Sequence, residues 1–203
     1  GEYLSRVQKL MPLCLTSLSG GSKDNAIPRS CQATVVAMGI GIERINGIAA
    51  ALQQEIREKY DEPDALVQAF DVDALGGNSL TTAATADVIS LLCAAPNGVQ
   101  SYSADIPGLV QTSLNLGVCH LGDQFTATFS VRSSVNREKE ELLQQLRDLT
   151  AFYKGTYSQA GTYPAWEYRK DSPLRDTMVR VYQQMFGKDP QVLAIHAGLE
   201  CGL

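Results

Sequence analysis

Leu114-Asn-Leu-Gly-Val-Cys-His-Leu121, Gly122-Asp123 and Gln124-Phe-Thr-Ala-Thr-Phe-Ser-Val-Arg132 together form the stretch that decides the fold. Apolar and polar residues alternate after Gln124, and this period of two is typical of a strand with one apolar face. Because Gly-Asp suits a two-residue turn, the stretch predicts an antiparallel hairpin. In this register Asn115 pairs with Ser130 and Ser113 with Arg132, so Asn115 and Arg132 share the polar face.

Strands and helices are also predicted on both sides of this hairpin. Upstream, the patterns indicate strands over 13–18, 32–38 and 66–72, and helices over 45–60 and 80–95. Downstream, they indicate a helix from Asn136 to a Gly155 cap, a strand over 156–159, a helix from Ser172-Pro173 to Gly187, and a strand over 192–195. Strand pairs interleaved with amphipathic helices predict an α+β fold, a ferredoxin-like sandwich with helices on one face of an antiparallel sheet.

The composition excludes several classes of protein. The 203 residues carry a net charge of -5, whereas a general nucleic-acid binder needs a basic face. No apolar run approaches the ~20 residues that cross a membrane. Two histidines, without a C-x-x-C or H-E-x-x-H pattern, argue against a self-contained zinc site. Five scattered cysteines indicate reduced, buried thiols in a cytoplasmic protein.

Four motifs follow one another along the chain. They are Gly20-Gly-Ser-Lys-Asp-Asn-Ala-Ile-Pro-Arg29, Thr112-Ser-Leu-Asn-Leu-Gly117, Tyr163-Pro-Ala-Trp166 with Asp171-Ser-Pro173, and His196-Ala-Gly-Leu-Glu-Cys-Gly202. In this order and at these separations, the motifs resemble those of the aminoacyl-histidine dipeptidases. These bacterial enzymes belong to the dizinc peptidase group that includes carnosinases and aminoacylases.

The resemblance implies a zinc-dependent hydrolase of Xaa-His dipeptides with two domains. Residues 1–161 would be the lid and dimerisation domain without its first strand, and residues 162–203 would be the chain's return into the catalytic domain. The family's two zinc ions and its catalytic Glu depend on motifs that do not occur here, so we expect no catalytic or metal-binding residue in this chain. The implied protein is a cytoplasmic homodimer that binds a dipeptide, and this chain alone is expected to be inactive.

The lid residues Asn25, Asn115 and Arg132 are the first candidates for substrate binding. By resemblance, Asn25 reaches the active site, often across the dimer, where its amide can donate a hydrogen bond without titrating. Arg132 can bind the terminal carboxylate of a dipeptide through two parallel hydrogen bonds. The alternatives are a loop asparagine that holds a turn and a solvated arginine at a strand end. Arg29 is expected to form a structural ion pair.

The terminal motif adds His196, Gly198 and Glu200, which resemble the segment that lines the family's substrate pocket. The histidine and the glycine amides could bind a carboxylate, and Glu200 could accept from the substrate's amino group. The alternative is a set of polar residues on a loose terminal loop. Two other features receive structural interpretations: a partly buried His120, and a solvated helix face for the charged run 138–141.

A different class of function also fits these patterns. The chain could be a stand-alone α+β module that dimerises or binds a small molecule, without catalysis. Zinc-ligand motifs on either side of this segment would favour the dipeptidase, and their absence would favour the binding module.

Overall fold

The computed structural model describes residues 1–37, 39, 41–72 and 78–196. Within these ranges the chain forms five helices and five strands, and no helix there is long and apolar enough to cross a membrane. In chain order they are α1 (Glu2–Gln8), β1 (Leu13–Gly20), β2 (Cys31–Ala37), α2 (Ile42–Tyr60), α3 (Thr82–Ala94), β3 (Gly98–Tyr102), β4 (Val110–Leu121), β5 (Phe125–Ser133), α4 (Asn136–Phe152) and α5 (Pro173–Phe186).

The strands form one sheet in the order β2-β1-β4-β3, with β5 also paired to β4. The pairs of β1 with β2, of β1 with β4 and of β3 with β4 are all antiparallel. The α+β class with an antiparallel sheet, predicted from the sequence, is therefore confirmed. The connector between β1 and β2 joins two antiparallel neighbours and is therefore a long hairpin loop.

The described residues divide into two compact units. The first comprises Gly1–Ala95, Leu116–Phe129 and Phe152–Lys154, and its core packs Leu13 and Leu15 of β1 with Ile89 of α3. A bulge between Leu15 and Ser17 returns Leu18 to the buried face, despite its odd spacing from Leu15. At the bulge, the Leu15 N–H donates to Thr85 Oγ1 at 2.9 Å, so a buried threonine replaces a partner strand.

The second unit comprises Pro96–Asn115, Ser130–Ala151 and the described part of 155–203. In α4, Leu142, Leu143 and Leu146 are buried, as expected of an amphipathic helix. In α5, the Ser172 hydroxyl caps the N-terminus by accepting from the Arg175 N–H, and Gly187 ends the helix at φ 65°. The apolar side chains of α5 are exposed, since no α5 residue is buried against the described part of the chain.

Three predicted strands are wrong. Residues 66–72 form no ladder, because side chains of α2 satisfy their backbone: Gln53 accepts from the Val67 N–H and Asn46 from the Ala69 N–H. Residues 156–159 and 192–195 also lack strand pairing. Conversely, β3 is not predicted from the sequence, because Pro96-Asn-Gly98 indicates only a helix stop. Met38, the predicted last residue of β2, lies outside the described residues.

The thiol prediction is correct in part. The four described cysteines are all free, as expected of reduced thiols. Cys119 is buried and Cys14 half-buried, but Cys31 and Cys93 are exposed. The prediction that the cysteines are buried is therefore wrong for Cys31 and Cys93. Cys201 lies outside the described residues.

Candidate functional site

The second unit contains a polar cluster, formed by Ser113, Asn115, Arg132 and His196. Ser113 and Asn115 lie two residues apart on β4, so their side chains project from the same face of the sheet. All four residues are half-buried. We call this set the polar cluster below.

Two contacts at the open end of the hairpin support the predicted register of β4 and β5. The Ser134 N–H donates to the Gln111 carbonyl at 3.0 Å, and Thr112 Oγ1 lies 2.7 Å from Ser133 Oγ. Continued by one residue, this register puts Ser113 opposite Arg132. Residues opposite each other in an antiparallel pair project from the same face. The Arg132 side chain therefore belongs with those of Ser113 and Asn115.

His196 joins the cluster through its ring. Its Nε2 lies 2.8 Å from Ser113 Oγ. Burial lowers the pKa of His196, and the positive charge of Arg132 lowers it further, while a backbone hydrogen bond with Val110 acts in the opposite direction. At neutral pH the imidazole is therefore uncharged beside the guanidinium, where it can serve as a hydrogen-bonding group without repelling Arg132.

Glu138 of α4 binds side chains of both β3 and β4. It accepts hydrogen bonds from the Ser101 hydroxyl at 2.6 Å, from the Gln111 amide at 2.6 Å and from the Thr112 hydroxyl. These donors, Ser101 and Thr112 first, lower the pKa of Glu138. The interpretation of residues 138–141 as one solvated face is therefore wrong for Glu138, which is half-buried and fixes β3 and β4 to each other.

The polar cluster has the chemistry of a carboxylate site. A guanidinium presents paired N–H donors in a plane that matches the two oxygens of a carboxylate. A neutral imidazole and a primary amide can add donors without a second full charge. Ser113 was missed as a site residue, although its predicted pairing with Arg132 on the polar face was sufficient to find it.

Asn25 lies in the first unit, on the exposed loop between β1 and β2. Its backbone N–H donates to Asp24 Oδ1 at 2.8 Å, within a turn closed by the Ala26 N–H and the Lys23 carbonyl at 3.4 Å. The loop rests on β4, since a Cβ at Gly117 would lie 2.1 Å from the Asp24 carbonyl oxygen. Two of the four motifs therefore meet at a contact that only glycine allows.

The β1–β2 loop encloses a cavity of about 420 Å³, whose lining includes Lys23 and Arg29. Arg29 is exposed and forms no ion pair with any residue that the structure describes, so the predicted structural ion pair is wrong. His120 is exposed too, against the prediction of a partly buried histidine, because its side chain leaves the buried row of β4 that holds Cys119 and Leu121. Gly198 and Glu200 lie outside the described residues.

A zinc centre would need several converging ligands. Over 1–37, 39, 41–72 and 78–196, no group of three or more His, Cys, Asp or Glu side chains is placed to hold a metal ion. The described residues therefore do not fit a zinc site with several protein ligands.

Comparison with known proteins supports the resemblance noted from the motifs. No protein-family model matches the chain. The cytosol non-specific dipeptidase of Escherichia coli (strain K12) is 31% identical over 204 residues, which cover 100% of this chain and 42% of that protein. The crystal structure of aminoacylhistidine dipeptidase from Vibrio alginolyticus superposes with a TM-score of 0.85 at 27% identity, over 99% of this chain and 41% of that one. The chain thus spans about two fifths of the length of these relatives, and it is homologous to that part of the dipeptidases.

Proposed function

We propose that the chain is the substrate-recognition part of a zinc-dependent dipeptidase that hydrolyses Xaa-His dipeptides. The observation that carries this proposal is the polar cluster, in which Arg132, a neutral His196 and Ser113 meet on one strand face. Homology to two dipeptidases over essentially the whole chain supports the assignment.

Every dipeptide has a terminal carboxylate, and we assign its recognition to Arg132. The guanidinium binds the two carboxylate oxygens in parallel, and Asn115 and His196 orient the same group from the side. Because the carboxylate is charged before and after hydrolysis, this contact stabilises the bound substrate and the transition state alike. Gly198 and Glu200, four residues or fewer beyond His196, are proposed to line the same pocket, with Glu200 accepting from the substrate's amino group.

The remaining assignments rest on the family. In the proposal, residues 1–161 form the lid and the homodimer contact, and residues 162–203 lead back into the catalytic domain. Asn25 donates to the substrate or to the oxyanion that develops during hydrolysis. Zinc held by residues elsewhere in the full-length cytoplasmic enzyme would polarise the scissile carbonyl and activate a water.

The proposal is tested in the full-length protein with a dipeptide that ends in histidine and with its C-terminal amide. Arg132→Ala should raise KM for the free acid by about 10-fold to 100-fold with little change in kcat, because a uniform binding contact is lost. The amide has no carboxylate, so its kinetics should barely change. Arg137→Ala, on an arginine paired with Glu141 at 3.4 Å on α4, is the matched control.

Two results would count against the proposal. An unchanged KM for the free acid in Arg132→Ala would remove Arg132 from carboxylate binding. Absence of any peptide hydrolysis in the metal-loaded full-length protein would favour the stand-alone binding module instead.

A further inference from the structure

Cys31 and Cys119 are brought together by a glycine. Gly20 of β1 pairs with Cys31 of β2 on one side and with Cys119 of β4 on the other. The three residues form one row across the sheet, and residues in such a row project from the same face. The two sulfur atoms lie 3.0 and 3.1 Å from the position that a Cβ on Gly20 would occupy. The thiols therefore meet in the space that the missing side chain leaves.

The backbone prevents these thiols from forming a disulfide. Cys31 and Cys119 are separated by a whole strand, which puts their Cα atoms about 10 Å apart at the usual spacing of neighbouring strands. A disulfide needs Cα atoms within about 7 Å. Both cysteines are accordingly free. The pair is thus a dithiol whose two sulfur atoms the sheet keeps from forming a disulfide.

The two thiols differ in their surroundings. Cys31 is exposed, whereas Cys119 is buried at the border of the core. A hydrogen bond from Cys119 lowers the pKa of Cys31 to about 6, and the same interaction raises the pKa of Cys119. A lowered pKa favours the thiolate of Cys31, which is the form that binds metal ions, and the Cys119 sulfur lies beside it.

We propose that Cys31 and Cys119 form a two-sulfur binding site for a soft monovalent cation of the Cu(I) class. Thiolates select soft ions, chiefly Cu(I), zinc and iron–sulfur clusters. Zinc and the clusters take about four protein ligands, whereas no third metal-binding side chain joins this pair among the described residues. On binding, the Cys119 S–H bond is replaced by a metal–sulfur bond, and its proton passes to water.

The test is an oxygen-free titration of the chain with Cu(I), supplied by a coloured Cu(I) chelator that reports the free ion. Wild-type chain should take one tight equivalent, and alkylation mapped by mass spectrometry should show Cys31 and Cys119 protected together. Cys31→Ser should weaken binding by about 100-fold, because the advantage of two joined ligands is lost. Cys93→Ser, which removes an exposed thiol on α3, should bind as the wild type does.

Gly20→Ala provides the sharper variant. It keeps both thiols but puts a methyl group between the two sulfurs, so it should weaken Cu(I) binding as Cys31→Ser does. Unchanged affinity in Cys31→Ser, which alters only an exposed side chain, would overturn the proposal. So would protection of Cys14, Cys93 or Cys201 in place of the pair, or a preference for zinc over Cu(I).

Discussion

His196 Nε2 and Ser113 Oγ lie 2.8 Å apart, and this contact joins residues that are 83 positions apart in the sequence. It places the start of the terminal motif on the strand face that Arg132 also occupies. Burial and the charge of Arg132 both lower the pKa of His196. The contact therefore holds a neutral imidazole at the strand face that carries the Arg132 guanidinium, a combination suited to binding a carboxylate.

The charge of Arg132 can be tested through the titration of His196. We expect Arg132→Gln to raise the pKa of His196, because one of the two causes that lower it is removed. NMR titration of the imidazole protons measures this shift. Arg137→Gln is the control for a change of net charge. An equal shift in both variants would mean that Arg132 has no specific effect on His196.

Glu138 should be important for stability. Glu138→Ala removes the acceptor of three hydrogen bonds, including one from Thr112, which is only 2% exposed. Leaving buried donors without a partner should lower the free energy of unfolding by about 2 kcal/mol. Urea unfolding measures the loss, and Glu140→Ala, two residues along α4 and exposed, should stay within about 0.5 kcal/mol of the wild type. Equal values for the two variants would contradict the buried role of Glu138.

The same carboxylate predicts a dependence of stability on pH. The pKa of Glu138 is lower in the folded chain than in the unfolded chain, mainly through Ser101 and Thr112. Its contribution is therefore complete above the unfolded pKa of about 4.3 and is lost as the pH falls through the lower, folded value. The stability difference between wild type and Glu138→Gln should be large at pH 6 and should shrink on acidification. A difference that stays constant down to strongly acidic pH would refute the linkage.

The α+β class and most elements could be predicted because their signals are local. Alternation from Phe125, the Ser172-Pro173 start and the Gly187 end of α5 each depend on residues within a few positions. Strand 66–72 was wrongly predicted because its competitors are distant in sequence: Asn46 and Gln53 of α2 take the N–H groups that a ladder would use. Local patterns do not contain that information.

For the candidate site, the strand-pairing rules predicted more of the arrangement of the side chains than the residue types did. The hairpin register alone places the side chains of Arg132 and Asn115 on the same face of the sheet. The contacts made by Gln111 and Thr112 support this register. The charged run that includes Glu138 resembles an ordinary solvated helix face, and only the packing of α4 on Thr112 reveals its role. Likewise, the sequence positions of Gly20, Cys31 and Cys119 indicate nothing until the strands pair.

Thr85 offers a test of the β1 bulge. Its side chain is fully buried, and its hydroxyl accepts from the Leu15 N–H at 2.9 Å, where the β1–β2 ladder shifts register. Thr85→Val keeps the shape of the side chain but leaves that buried N–H without an acceptor. We expect a loss of about 2 kcal/mol in the free energy of unfolding, with faster hydrogen exchange at Leu15.

Thr82→Val is the matched control, because Thr82 is exposed in the first turn of the same helix. Both substitutions exchange one hydroxyl for a methyl group on a β-branched side chain, so helix propensity changes equally. The control should stay within about 0.5 kcal/mol of the wild type. If Thr85→Val were as stable as Thr82→Val, the Leu15 N–H would have another acceptor, and the bulge would not depend on α3.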